Sequence, residues 1–224
     1  AQRQGNSTMA IEAGTGSKTD PLPDEYDKPK IAGVILAAGL SRRMGQPKLL
    51  MPYRGEALIR WPTQAAVEAG LYPVVVLGAY AEKVLDALFD LPVHFVTNPE
   101  WESGQSTSVK VGIRALPPEV EGALFLLGDQ PGVSVDLLLG LVGLFEKHSG
   151  QIIAPMTAGK QGNPVLFGRS LFPELLTLTG DAGGRQLFST HPVVHLPWDI
   201  PEQFIDIDTP EDYEHLIGGV EDTK

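Results

Sequence analysis

Residues 31–48 read IAGVILAAGLSRRMGQPK. The first seven are apolar or small with no polar alternation, the pattern of a strand buried on both faces of a sheet. A turn of small residues follows, Ala37-Ala38-Gly39, and then three cations, Arg42, Arg43 and Lys48, within seven positions. Small residues let the backbone approach a ligand closely, and successive exposed amides make a concavity that takes anions. Arg43 and Lys48 would neutralise a polyphosphate there, the lysine as a compact point charge. The stretch has neither the Gly-Lys-Ser/Thr of a Walker loop nor the G-x-G-x-x-G spacing of a dinucleotide fingerprint. On charge alone, a surface loop with solvated basic side chains explains it equally well.

Outward from this stretch, strand-length apolar runs recur at Tyr72–Leu77, Val93–Val96, Ala123–Leu127 and Ile152–Ala154. Helical spacing fills the gaps at Ala57–Ala69, Ala81–Phe89, Thr107–Ala115 and Val135–Lys147, with Pro62 marking a start or a kink in the first. The alternation predicts an α/β chain with a doubly wound, mostly parallel sheet. Beyond Pro155 the rhythm changes. Asn163–Phe167, Val193–Leu196 and Phe204–Ile207 read as short strands, and Leu171–Leu178 and Arg185–Ser189 as short helices, with an antiparallel excursion expected. Ligands of such sheets sit at the carboxyl ends of the strands, where strand order reverses.

The chain of 224 residues suits one domain, expected over 31–217. Residues 1–30 are polar, carry no periodic apolar face and read as a flexible tail without a secretory h-region; Met9 is a candidate start. Residues 218–224 read as a second tail. A net charge of −11 speaks against sequence-independent nucleic-acid binding and against an anionic membrane surface. With no cysteine, disulfides, thiolate metal sites and cysteine nucleophiles are excluded, which fits a reducing cytoplasm.

Two aspartates stand where strands are expected to end. Asp129 follows Ala123–Leu127 in Gly128-Asp129-Gln130-Pro131, and Asp208 follows Phe204–Ile207 in Asp206-Ile207-Asp208-Thr209-Pro210. Magnesium takes one or two carboxylates, with water and substrate phosphates completing its shell. A turn start explains Asp129 as well, and an N-cap explains Asp208. Asp206 shares a face with Asp208 by alternation and stays an alternative to it. Gly104–Gly112 opens a helix, where Ser and Thr serve as caps.

LAAGLSRRMGQPKLL resembles the signature of the nucleotidyltransferases that make molybdenum cofactor dinucleotides, within a wider group that activates sugars and methylerythritol phosphate. The resemblance spans about Ile31 to Ile217. It implies a Rossmann-like nucleotidyltransferase fold in a three-layer sandwich. It also implies that Leu36, Ala37, Ala38, Gly39, Ser41 and Gly45 wrap the triphosphate while Lys48 and Arg43 act in catalysis. Asp129 and Asp208 match the family's metal-binding Asp-Gln-Pro and Asp-x-Asp-Thr-Pro elements and would hold Mg2+. Gln105 and Ser108 match a segment lying against the base and ribose, with Val109 in place of a leucine. Gly162, Asn163 and Pro164 resemble an acceptor motif that commonly has His at the Asn163 position. Gly180, Asp181 and Arg185 resemble a second acceptor element, with Gly184 in place of alanine.

Family members that use guanosine triphosphate usually have Gly-Gly where this chain has Ala38-Gly39. A methyl there narrows the base pocket, so cytidine triphosphate (CTP) is the expected donor, and molybdopterin or the molybdenum cofactor the expected acceptor. Guanylyl transfer to molybdopterin and cytidylyl transfer to a sugar or polyol phosphate are the alternatives. A non-catalytic carrier that hands the cofactor to a molybdoenzyme is the alternative of another class. His94, His148, His191, His195 and His215 all lie outside these motifs, and an anionic acceptor phosphate needs no general base.

Overall fold

The computed structural model describes residues 30–221. In chain order its strands are β1 (Ile31–Ala37), β2 (Pro52–Tyr53), β3 (Glu56–Ala57), β4 (Tyr72–Leu77), β5 (His94–Thr97), β6 (Gly122–Leu127), β7 (Ile152–Thr157), β8 (Lys160–Gln161), β9 (Val165–Gly168) and β10 (Val193–Pro197). Its α-helices are α1 (Arg60–Glu68), α2 (Ala81–Leu88), α3 (Gln105–Arg114), α4 (Val135–Lys147), α5 (Phe172–Leu175) and α6 (Pro210–Glu221).

Eight strands form one sheet in the order β10-β7-β9-β6-β1-β4-β5, with β8 paired to the end of β7. β1 lies between β4 and β6 and runs parallel to both. The chain therefore winds outward through β4 and β5 on one side, then returns to start β6 on the other. This reversal opens a crevice beyond the carboxyl ends of β1 and β6. β9 runs antiparallel to both β6 and β7, which is the excursion expected after Pro155.

Alternation along the strands builds two cores. Ile31 and Ile35 of β1, with Val75, Leu124 and Leu126, pack against α1, α2 and α4. Ala32 and Val34, with Val76, Phe125 and Phe167, pack against α3 and α5. Apolar side chains on both faces of a parallel sheet require helices on both faces, and the result is the three-layer sandwich.

Four expectations are corrected. Helix α1 begins at Arg60 and not at Ala57, because Glu56–Ala57 pairs with Pro52–Tyr53 as a small hairpin. Pro62 thus falls in the first turn, where its missing N–H has no helical partner to lose. Phe204–Ile207 is not a strand. Ile207 is fully buried and Ile205 is 47% exposed, so the alternation exists. However, residues 205–208 carry no ladder; the Ile207 amide donates to the Asp129 carbonyl (3.2 Å), and Ile207 plugs a small third core with Met44, Met51 and Leu58. Leu171–Leu178 is shorter than expected, a 3-10 turn leading into the four residues of α5. Finally, α6 runs through Gly218 to Glu221, so the expected tail from 218 is helical over four residues. Glycine keeps its N–H and continues the ladder at a propensity cost, and Tyr213 and Leu216 anchor the helix to the third core. The tails at 1–29 and 222–224 lie outside the described residues.

Candidate active site

The loop after β1 is held by its own backbone. Ser41 and Gly45 both adopt left-handed conformations (φ 58° and 67°) on either side of a 3-10 turn, Arg42–Met44. Gly45 suits that conformation without strain. Met44 is buried in the third core and pins the turn down, while the Ser41 hydroxyl accepts from the Lys48 amide at 3.2 Å. The Arg43 side chain is left 73% exposed at the rim, and the Lys48 side chain, 15% exposed, points inward.

Lys48 meets the two aspartates there. Its ammonium bonds Asp129 Oδ2 and, at 2.8 Å, Asp208 Oδ1. Arg43 Nη1 reaches Asp208 Oδ2 at 3.1 Å. Burial alone would lower the Lys48 pKa, but the Asp129 and Asp208 carboxylates outweigh it, and the net displacement is upward. Three segments far apart in the chain thus converge at the crevice. The capping role open to Asp208 falls to others. The Thr209 hydroxyl accepts from the Asp212 amide (3.2 Å), and Asp212 Oδ2 accepts from the Thr209 amide (2.8 Å), a reciprocal box at the start of α6. Asp208 is thereby left to face the cations.

Asp206 occupies a different place. Gln130, only 1% exposed, donates from Nε2 to Asp206 Oδ1 at 2.7 Å. Burial of the carboxyl, followed by the nearby charge of Asp129, raises the Asp206 pKa. Neither Gln130 nor this bond, which spans 76 residues, was singled out from sequence. Asn98 was also missed. It is 1% exposed, and its amide nitrogen donates to Thr107 Oγ1 (2.8 Å) and Ser108 Oγ (3.0 Å), which orients the start of α3. An asparagine just past a strand was the available signal.

Two cavities meet here. The larger, about 730 Å³, is lined by Ala38, Gly39, Ser41, Arg43, Lys48, Ser108, Asp129 and Asp208 among others. The smaller, about 360 Å³, has an apolar lining that includes Val109, Phe125 and Phe167, together with Asn163. Leu36, Gln105, Leu127, Asp181, Arg185 and Asp206 line both, so the two spaces share a wall. Of the other expected site residues, Ala37 turns into the core at 2% exposure, because it alternates inward on β1. Gly45, Gly162, Pro164 and Gly180 shape loops and line neither cavity. None of the five histidines lines either cavity; His191 pairs with Glu174 (2.8 Å) and His195 with Gln161 (3.0 Å).

An acidic pair opposite basic side chains at a strand-order switch is suited to binding a polyphosphate with a divalent ion. Asp129 and Asp208 offer hard oxygen donors that already share one cation, which fits such an ion. Among the described residues, no group of three or more His, Cys, Asp or Glu side chains forms a ready metal cluster. Water and phosphate oxygens would have to complete the shell. No helix of the described residues is long and apolar enough to cross a membrane.

Several known proteins are similar to the chain over most of its length. The chain is 32% identical over 205 residues to the nicotine blue oxidoreductase of Paenarthrobacter nicotinovorans, covering 86% of this chain and 99% of the relative. It is 33% identical to the purine catabolism protein PucB of Bacillus subtilis (83% and 95% covered) and 26% identical to the molybdenum cofactor cytidylyltransferase of Escherichia coli (80% and 92%). The crystal structure of Rv0371c from Mycobacterium tuberculosis superposes with a TM-score of 0.76 at 32% identity, covering 85% of this chain and 98% of that one. A manganese complex of Rv0371c is also similar (TM-score 0.70, 28% identity, 84% and 98% covered). The model of the MobA-like NTP transferase domain matches residues 33–195, which run from β1 through β10 and include the whole cationic loop and Asp129. On that match the chain belongs to the MobA-like NTP transferase family, the nucleotidyltransferases.

Proposed function

We propose that the protein transfers cytidine monophosphate from CTP to the phosphate of molybdopterin or the molybdenum cofactor, releasing pyrophosphate. The observation that carries this reading is the ion cluster of Lys48, Arg43, Asp129 and Asp208 at the mouth of β1 and β6, beside a second pocket with an apolar lining. The larger cavity would take the nucleotide and the smaller one the acceptor's ring system. Lys48 would stabilise charge on the α-phosphate as an acceptor phosphate oxygen attacks in line, while Arg43 at the rim would hold the departing pyrophosphate. Asp129 and Asp208 would hold Mg2+, which when bound neutralises charge on the phosphates and polarises them. Arg185 and Asp181, on the shared wall, would orient the acceptor together with Asn163 of the smaller cavity. An acceptor phosphate is anionic near neutral pH, in keeping with the absence of histidine from both cavities.

Cytidine is favoured at the base by Ala38. Ala38, 7% exposed, packs against Gly78; a Cβ built on Gly78 would stand 2.6 Å from the Ala38 Cβ. Ala38 lines the larger cavity, and a methyl at that position would leave less room for a purine. The three relatives carry three different names, so the acceptor rests on this chain's own pocket. Absence of cysteine and this chemistry fit a cytoplasmic enzyme.

The test is pyrophosphate release from CTP, GTP, ATP and UTP with Mg2+ and either molybdopterin, molybdenum cofactor or a polyol phosphate. CTP with a molybdopterin-type acceptor should be fastest. Faster release with GTP overturns the base assignment, and release only with the polyol phosphate overturns the acceptor.

A further inference from the structure

We propose that Lys48 is the resident counter-ion of the Asp129–Asp208 pair, so that a divalent ion enters together with a polyphosphate and not before it. This rests on the reading of that pair as the metal-holding pair, and on neither the base nor the acceptor. Three of the four carboxylate oxygens of the pair already face a cation: Asp129 Oδ2 and Asp208 Oδ1 face the Lys48 ammonium, and Asp208 Oδ2 faces Arg43. The Lys48 ammonium is no loose surface charge. Its side chain is 15% exposed, as is that of Asp129, and its backbone is fixed at both ends, the amide on Ser41 Oγ and the carbonyl accepting from Met51 (3.0 Å). Only the four-carbon stem is left to move.

A doubly charged ion and an ammonium cannot share two carboxylates without strong mutual repulsion. With no other anion present, Lys48 has nowhere better to go, and the free protein holds the divalent ion weakly. A triphosphate in the larger cavity changes this, because that cavity is lined by Lys48 and both aspartates. Its oxygens give the ammonium a new partner and draw it from the carboxylates, which then take the ion. Polyphosphate and ion each raise the affinity for the other, and the coupling is reciprocal. The lysine thus guards the site against metal alone and arrives on the phosphates as the metal arrives on the aspartates.

The experiment reads Mn2+ binding to the full chain by electron paramagnetic resonance, with no nucleotide present. Lys48→Met and Lys48→Gln should each bind Mn2+ at least about tenfold more tightly than the unmodified protein, as removal of a neighbouring unit charge requires. Adding Asp129→Asn to either variant should abolish that gain. Lys48→Arg, which keeps the charge, should stay near the unmodified value. A second readout uses the unmodified protein: the 15N signal of the Lys48 ammonium should hold its position when Mg2+ alone is added and move when Mg2+ and inorganic tripolyphosphate are added together. Tripolyphosphate has no base, so a wrong donor assignment leaves this result untouched. Unchanged Mn2+ affinity in the neutral variants, or a signal that moves with Mg2+ alone, overturns the proposal.

Discussion

At the scale of single residues, the site is a balance of a few charges. Among the described residues, Lys48 is the one cation that touches both aspartates, and charge placed where it develops in the transition state is worth two to three orders of magnitude in rate. Lys48→Ala should therefore lower turnover at least about 100-fold in the pyrophosphate assay, with far-UV circular dichroism unchanged, because Asp208 keeps Arg43 as a partner. Near-normal turnover removes Lys48 from the mechanism. Lys48 and Asp129 stand out in the sequence because each comes after a strand inside a short, distinctive local pattern, and Asp208 because of the pattern Asp-Ile-Asp-Thr-Pro alone. Gln130 and Asn98 were not. Their importance lies in bonds to Asp206 and Ser108 that exist only after folding, and a buried amide leaves no periodic trace. Asp206 was visible, but the chain alone could not say that Gln130 claims one of its oxygens.

At the scale of elements, close packing decides which side chains a position admits. A Cβ built on Gly184 would lie 2.4 Å from Phe167 Cζ. Phe167 is on β9, 2% exposed and packed edge-on to Phe125 (5.9 Å), so it has little freedom to yield. Gly184→Ala should cost about 1–3 kcal/mol by overpacking, and Phe167→Leu should recover part of it in a double-mutant cycle read by urea unfolding. Additive costs would mean the two do not meet. A second element-scale effect concerns β4 and β5. His94 stacks on Tyr72 (4.5 Å between ring centres), and its buried Nε2 has no hydrogen-bond partner among the described residues. Burial lowers its pKa. Below about pH 6.5, the unfolded value, the unfolded chain binds a proton that the folded one resists, so stability rises with pH through this window and is lost as pH falls. His94→Phe should flatten that part of the acid limb in urea midpoints measured between pH 7.5 and 5.5. An identical slope would assign the acid sensitivity to other groups. Regular elements were legible in the sequence, β4 as a short apolar run and α4 through helical spacing. Phe204–Ile207 shows period-two alternation, which marks an extended, half-buried chain, whereas a ladder needs a neighbour that only the fold supplies; the two-residue strands of the hairpin β2–β3 are too short to show a period, and Ala57 reads as the start of a helix.

At the scale of the whole molecule, the site is a product of long-range closure. Lys48 reaches Asp129 across 81 residues and Asp208 across 160, and Ile207 must be seated in the third core, with Met44 and Met51, for Asp208 to arrive. Ligands that bind this cluster bind only the folded chain and so stabilise all of it. CTP with Mg2+ at about 100 times the dissociation constant should add about 2.7 kcal/mol, which for a chain of this length raises the melting temperature on the order of 5–10 °C. Mg2+ alone should do little, because Lys48 already satisfies the acidic pair. In Asp129→Asn/Asp208→Asn, which removes both charges while keeping the side-chain shapes, the free protein should melt below the unmodified temperature, since the largely buried Lys48 ammonium loses both carboxylate partners. The CTP–Mg2+ shift should shrink to a small fraction of its original size. A full shift in that variant would place the nucleotide away from the mouth of β1 and β6, on a part of the sheet where these aspartates have no role.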